Sequence, residues 1–260
     1  MLTSLQNPLI KQIRKLSQAK ERRSQQRFLL EGTHLLEVAC SVNYPIEVVC
    51  YTPQWQARYP QLWQQAVAQA QRAEAVTPDV LKSIATTVNP DGVIATARQG
   101  AVKPCPANPD LGLVLETIQD PGNLGSIIRT AAAANVDGLW LSEDSVDLAH
   151  PKVLRSTAGQ WFKLPMQISS DLSQQMSQWQ QSGIQVLATA ADAQQNYWNC
   201  DLRLPTVLLL GNEGGGLSPQ MANLATDVIK IPIQPGVESL NVAIAAAVIL
   251  FEAQRQRQSG

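Results

Sequence analysis

"VLLLGNEGGGLS", Val207 to Ser218, runs an aliphatic strand straight into a loop that holds four glycines and one glutamate, Glu213. Glycine loops that follow strands commonly cradle phosphate on free backbone N–H groups, and a carboxylate repels phosphate. A dinucleotide-binding turn reads GxGxxG, with its acidic residue about twenty positions on. Here the loop reads GxxGGG and carries its acid inside. Such a loop suits a ligand with cationic or amine character, such as a nucleoside without phosphates.

Further strands surround this one in sequence. "LGLVLETI" from Leu111, "GLWLS" from Gly138, "LPMQIS" from Leu164, "IQVLATA" from Ile184 and "DVIKIPI" from Asp227 are short apolar or β-branched runs. Helical stretches lie between most of them, and the chain closes on "SLNVAIAAAVILFEAQRQR". Alternating strands and helices predict an α/β fold with a mainly parallel sheet and helices on both faces. Upstream, "RQGAVKPCPANPD" (Arg98 to Asp110) crowds three prolines and a glycine together and reads as a linker. The predicted organisation is a small α/β domain over 1–100, a linker over 101–110 and a larger domain over 111–260. Within the first domain, Asn7-Pro8 opens a helix as cap and first residue. Strands are expected at Phe28–Glu31, Ile46–Tyr51 and from Gly92. Helices are expected after Gly32, through Leu62–Arg72 and from Pro78.

Composition narrows the function. The net charge of −1 argues against indiscriminate coating of nucleic acid, but seven Lys or Arg stand against two Glu between Met1 and His34, leaving the rest acidic. No run approaches the ~18–20 apolar residues of a membrane span, and "MLTSLQNPLIKQIRKL" lacks the apolar core of a signal peptide. A cytoplasmic protein is expected. Cys40, Cys50, Cys105 and Cys200 are scattered, as in a reducing compartment. With only His34 and His150, far apart, neither a metal site nor a Ser-His-Asp set is expected.

Two more segments carry polar residues on apolar scaffolding. In "IQDPGNLGSIIRTAAAA" (Ile118 to Ala134), Asp120-Pro121-Gly122 reads as a turn and Asn123 as the helix cap, with Arg129 standing among apolar neighbours. An arginine on a helix is ordinarily just solvated, but these surroundings favour a directed role. In "IPIQPGVESLNVAIAAAVILFE" (Ile231 to Glu252), Ser239 is placed as a cap, and Asn241 falls in the first turn of an apolar helix, where a buried amide needs partners.

Taken in order, "DPGNLGSIIRTA", "LLLGNEGGGLS" and "IPIQPGVESLNVAIA" resemble the three motifs of the SpoU (TrmH-like) family of RNA ribose 2′-O-methyltransferases, members of the SPOUT class. The resemblance spans about Leu111 to Gly260, and "NPLIKQIRKL" with "FLLEGTHLLEVA" is similar to the RNA-binding domain that precedes it in many members. It implies a C-terminal trefoil knot, S-adenosylmethionine as cofactor, a homodimer and no metal. Asn123, Arg129, Glu213, Ser239 and Asn241 match the family's polar site residues. Cofactor contacts fall on Gly211, Ile231 and Leu240, with Asn212, Glu213, Gly214 and Thr189 beside them. Here Pro235 stands where the family commonly has glycine, and Gly236 follows it.

The implied reaction is in-line attack of a ribose 2′-hydroxyl on the cofactor's methyl group. Arg129 would act as a base or as a phosphate-binding cation. Ribosomal RNA is expected over transfer RNA. The rivals are a transfer-RNA methyltransferase, a non-catalytic RNA-binding protein of this fold and a nucleotide-dependent oxidoreductase, the last lacking GxGxxG. Lys11, Arg14, Lys15, Arg22, Arg23 and Arg27 form the candidate RNA-binding group.

Overall fold

The computed structural model describes residues 1–100 and 103–258. Ala101 and Val102 of the expected linker, and the last two residues of the expected second domain, lie outside the described residues. The chain forms two compact units: Met1–Val102 with Asp147–Phe162, and Lys103–Val146 with Lys163–Gly260.

The first unit opens with α1 (Pro8–Lys15), capped by the Asn7 side chain on the Leu9 N–H at 2.9 Å. Then come α2 (Ala19–Gln25), β1 (Arg27–Glu31), α3 (Thr33–Ser41), β2 (Ile46–Tyr51), α4 (Pro53–Arg58) and α5 (Pro60–Gln69). β3 (Ala70–Ala75), α6 (Pro78–Ile84) and β4 (Val93–Arg98) complete the run. The four strands pair in the order β1-β4-β2-β3, with only β2 and β3 parallel. Ile10, Ile13 and Leu16 pack with Leu29, Cys50 and Ile94 in one core. "AQRAEA" is a strand although its composition favours helix, because pairing beside β2 outweighs local propensity. The helix expected through Arg72 accordingly ends at Gln69.

The second unit begins with β5 (Leu111–Leu115), α7 (Pro121–Ala133) and β6 (Gly138–Ser142). The chain then contributes α8 (Pro151–Ser156) to the first unit, although chain order sets that stretch in the second. Two ion pairs account for this. Arg22, fully buried, donates to Asp147 at 2.7 and 2.8 Å and to the Leu16 and Ser17 carbonyls. Arg155 of α8 reaches the buried Glu31 at 2.7 Å. Burial alone would raise the Glu31 pKa, but bonds from Thr86, Thr87 and Arg155 hold it below the ordinary value. Trp161 and Phe162 then stack among Phe28 and Tyr44.

The second unit continues with β7 (Met166–Ser169), α9 (Leu172–Gln181), β8 (Gln185–Thr189), β9 (Gln195–Asn196), β10 (Thr206–Leu210), α10 (Pro219–Asn223), β11 (Asp227–Lys230) and α11 (Val242–Gln258). Its seven strands are all parallel, in the order β7-β6-β5-β10-β8-β11-β9. β5 and β10 are buried along their whole length, as expected of central strands covered on both faces. α7 packs against α11. β6 and β7 extend the sheet from β5 in one direction, and β10 and β8 in the other. In open parallel sheets, ligands settle at the carboxyl ends of strands flanking such a reversal. No described helix is long and apolar enough to cross a membrane.

The burial of Arg22 overturns its expected place in an RNA-binding group. Replacing it with alanine strands Asp147 and two carbonyls, so Arg22→Ala should lower stability by about 3–5 kcal/mol in urea unfolding. Weakened RNA affinity at unchanged stability would instead put Arg22 on the surface.

Candidate functional site

β10 delivers the glycine loop beside the end of β5, and the loop folds onto itself. Asn212 and Gly216 exchange both backbone hydrogen bonds at 2.9 Å. The Asn212 side-chain oxygen accepts from the Gly214 and Gly215 N–H groups at 2.8 and 3.0 Å. A Cβ on Gly211 would sit 2.1 Å from the Gly216 carbonyl carbon, so only glycine closes this turn. The amides that would cradle a phosphate are thus occupied within the loop, which settles the question its composition raises.

The end of β5 anchors the loop on both sides. Glu116 accepts from the Ser218 N–H and hydroxyl, each at 2.7 Å, and the Asn212 amide donates to the Thr117 carbonyl at 2.8 Å. Thr117 is held at φ 55°, an unfavourable region for a β-branched residue. Ser142 accepts from its N–H at 2.8 Å, and Asp144 accepts from its hydroxyl at 2.7 Å. Bonds from Ser142 first and Thr117 second keep Asp144 below the ordinary carboxylate range.

Glu213 joins the three motifs. Its carboxylate accepts from the Asn123 amide at 3.0 Å, the Asp120 N–H at 3.2 Å and the Gln119 N–H at 3.3 Å. Asn241 in turn donates to the Asn123 side-chain oxygen at 2.9 Å. Burial pushes the Glu213 pKa up, but the Asn123 amide and the backbone donors outweigh it and leave the carboxyl below its ordinary value. Those oxygens are therefore committed to the protein before any ligand arrives.

Two capping assignments change. Asp120, not Asn123, caps α7, accepting from the Gly122 and Asn123 N–H groups. Asn241, not Ser239, caps α11 through the Ala243 and Ile244 N–H groups, and it is exposed rather than buried. Each asparagine is thereby turned toward the other. Between β11 and α11, Pro235-Gly236 occupies the middle of a turn in which the Val237 N–H donates to the Gln234 carbonyl and Gly236 has φ 90°. That is the type II turn its order prescribes.

A cavity of about 310 Å³ opens beside this network. Thr189, Gly211, Asn212, Glu213, Gly214, Ile231, Leu240 and Ser239 all line it, with Val242, Ala245 and Ile249 from α11. Arg129 does not. It stands exposed on α7 with no hydrogen-bond or ion-pair partner among the described residues. Glu116, Thr117 and Asp144 tether the loop and the end of β5 without lining the cavity, and no motif points to them; a carboxylate ending an otherwise aliphatic strand is the sequence signal for the first. Among the described residues no group of three or more His, Cys, Asp or Glu side chains could hold a metal ion.

In the first unit the candidate RNA-binding cations separate. Lys11, Lys15 and Arg23 are exposed. Arg14 instead donates to the Ser83 carbonyl and hydroxyl at 3.0 and 2.9 Å, and Arg27 pairs with Glu47 at 2.6 Å. These two are drawn into the unit's own structure, as Arg22 is.

The family model described as SpoU rRNA Methylase family matches residues 110–251, and that of the MRM3-like substrate binding domain matches residues 7–95. An uncharacterized tRNA/rRNA methyltransferase of Synechocystis sp. is 47% identical, the match covering 98% of this chain and 94% of that protein. A 23S rRNA (uridine(2479)-2′-O)-methyltransferase of Streptomyces viridochromogenes is 31% identical over 90% of this chain and 84% of its own. The crystal structure of an AdoMet-bound rRNA methyltransferase from Sinorhizobium meliloti superposes with a TM-score of 0.85 at 33% identity, covering 98% and 97% of the two chains.

The Glu213 contacts stabilise the folded site above the free-glutamate pKa of 4.5 and are lost as pH falls through the lower folded value. Carbon-13 NMR should place the Glu213 midpoint below 4.5, and Asn123→Ala should move it upward. An ordinary midpoint in the native protein would show that the amide contacts do not form in solution.

Proposed function

The chain belongs to the SpoU rRNA methylase family, and on that premise we propose that it transfers the methyl group of S-adenosylmethionine to a ribose 2′-hydroxyl of structured RNA, specifically ribosomal RNA. The observation that carries this reading is the linkage of Asn241, Asn123 and Glu213 at the mouth of a cleft floored by the glycine loop. Support for ribosomal over transfer RNA comes from the named relatives that span both units of this chain.

The residues present fit the cofactor. Loop backbone and the aliphatic Ile231, Leu240 and Val242 make a half-apolar cleft for a nucleoside, and the Glu213 carboxylate in its lining tolerates a cationic sulfur. Bound there, S-adenosylmethionine supplies an electrophilic methyl group. The chain's own contribution is positioning. Gly211, Ile231 and Leu240 would hold the cofactor, with Thr189, Asn212 and Gly214 beside them, and Ser239 would offer a hydroxyl at the edge. Arg129 carries a guanidinium, a cation that donates hydrogen bonds and has no acceptor atom. We assign it to the phosphate next to the target ribose, where its charge favours the ionised 2′-hydroxyl. Lys11, Lys15 and Arg23 contact RNA backbone elsewhere, and that binding weakens as salt rises.

A homodimer belongs to the same proposal. Ile244 and Phe251, 54% and 47% exposed, stand with Val248 on one stripe of α11, at the spacing of a helix face built to be covered. α7, which carries Arg129, packs beside that helix, so covering the stripe brings a second chain near the guanidinium's element.

Two experiments test the reading. Labelled S-adenosylmethionine and ribosomal RNA from a strain lacking the gene should yield alkali-resistant labelled dinucleotides. Arg129→Ala should reduce kcat/KM by at least about a hundredfold. Label in mononucleotides would mean base methylation and would overturn the assignment. Separately, Phe251→Glu should shift the protein from dimer to monomer in sedimentation equilibrium; an unchanged dimer would remove α11 from the interface.

A further inference from the structure

The first unit contains a second cavity, of about 320 Å³, between α1 and the face of the four-stranded sheet. Its floor follows from strand register. Arg72 of β3, Val48 of β2 and Thr96 of β4 are neighbours across three adjacent strands. Leu9, Ile13 and Leu16 of α1 close it from above. Elsewhere this layer is filled, with Ile10, Leu29, Cys50 and Ile94 packed tightly. At this end Leu9 and Val48 are only partly buried. Protein interiors leave few voids larger than a water molecule, and this volume is at the low end for small-ligand sites, roughly 300–1,000 Å³.

The rim is polar in a particular way. Gln12, Gln25 and Gln71 reach it from α1, α2 and β3, three elements separate in sequence. The Gln25 side-chain oxygen is buried with no hydrogen-bond partner among the described residues, while its nitrogen donates to Glu21 at 3.0 Å. Sealed from solvent, that oxygen belongs to the wall of the cavity and leaves the exposed Gln12 and Gln71 amides as its accessible rim. A register shift between Ile46 and Val48 displaces Glu47 from regular alternation. Its carboxylate, 5% exposed, holds Arg27 and Arg98 each at 2.6 Å. Two guanidinium groups on one carboxylate leave a net positive charge, and Arg27 lines the cavity. At 100° per residue along α1, Lys15 lies 60° from Gln12, so an exposed ammonium flanks the amide rim.

We propose that this cavity accepts one unpaired nucleobase of the RNA substrate. The deduction rests on the RNA-methyltransferase reading above and names how its first unit would hold RNA. Leu9, Ile13 and Leu16 above and Val48 below take the faces of a flat ring. The Gln12 and Gln71 amides meet its edge, and the Arg27 guanidinium, tethered by Glu47, offers a planar cation for stacking. Single-stranded bases are recognised by this combination of edge bonding and stacking. Lys15 then meets the adjoining phosphate.

Saturation-transfer NMR on the full chain tests this directly, with adenosine, guanosine, cytidine and uridine 5′-monophosphates as probes and S-adenosylmethionine in excess to fill the cleft beside the glycine loop. At least one nucleotide should give a signal that Val48→Phe, which fills the cavity, and Gln12→Ala, which removes a rim amide, both abolish. Both variants should also raise KM for RNA about tenfold with kcat unchanged. Melting curves verify their folds, and Gln71→Ala, at an exposed position, replaces Val48→Phe if that variant fails to fold. Absence of any signal, its persistence in the folded variants, or its displacement by inorganic phosphate alone would overturn the nucleobase site. Failure of methyl transfer to RNA by the wild type would instead sink the catalytic reading, and the NMR result would still stand or fall by itself.

Discussion

The Glu213 carboxylate is the contact on which the active half depends. A loop reading GNEGGG has a large conformational entropy to lose, and nothing apolar in it packs to offset that loss. What orders it is a set of polar tethers. Asn212 takes up the amides inside the loop, and Glu213 takes up the first amides of the neighbouring segment. Bonds to an ionised acceptor are the stronger kind. The same carboxylate orients Asn123, which orients Asn241, so one residue of the loop fixes the starts of two helices. Its negative charge, read at first as a feature for a ligand, acts first on the protein itself.

The first unit uses charge in the opposite sense. Its basic N-terminal run looks like a single surface for RNA, but Arg22 is enclosed, and Arg14 and Arg27 are held by partners. A guanidinium suits such burial because its fork of donors can satisfy a carboxylate and carbonyls together. Lysine cannot match that geometry, and Lys11 and Lys15 remain in solvent. What is left free to meet RNA phosphates is a smaller, lysine-dominated set.

Six of the seven strands of the parallel sheet were legible as short runs rich in apolar residues, and β2 begins and ends at the residues its β-branched pattern marks; β9, the two polar residues Gln195–Asn196, carries no such pattern and is a strand only by pairing with β11. Of the candidate site residues that the motifs single out, the structure gathers Asn123, Glu213 and Asn241 into one chain of hydrogen bonds. The capping roles were not legible. Ser, Asp and Asn are nearly equivalent as caps, so sequence cannot choose between Asp120 and Asn123, or between Ser239 and Asn241. β3 was hidden because "AQRAEA" is a strand only by virtue of its neighbour. Burial of Arg22 was hidden because its partner, Asp147, lies far along the chain.

The first unit is assembled from two separate lengths of chain, the second of them ending at Phe162. During synthesis, the N-terminal hundred residues leave the ribosome with Arg22 and Glu31 still lacking Asp147 and Arg155. Unpaired charges in that setting oppose burial, and Phe28 and Tyr44 lack Trp161. Closure of the first unit therefore waits until β5, α7 and β6 of the second have also emerged. The order of translation makes the two units interdependent in their maturation, and a shuffled or truncated gene supplying only the first hundred codons would encode an incomplete fold.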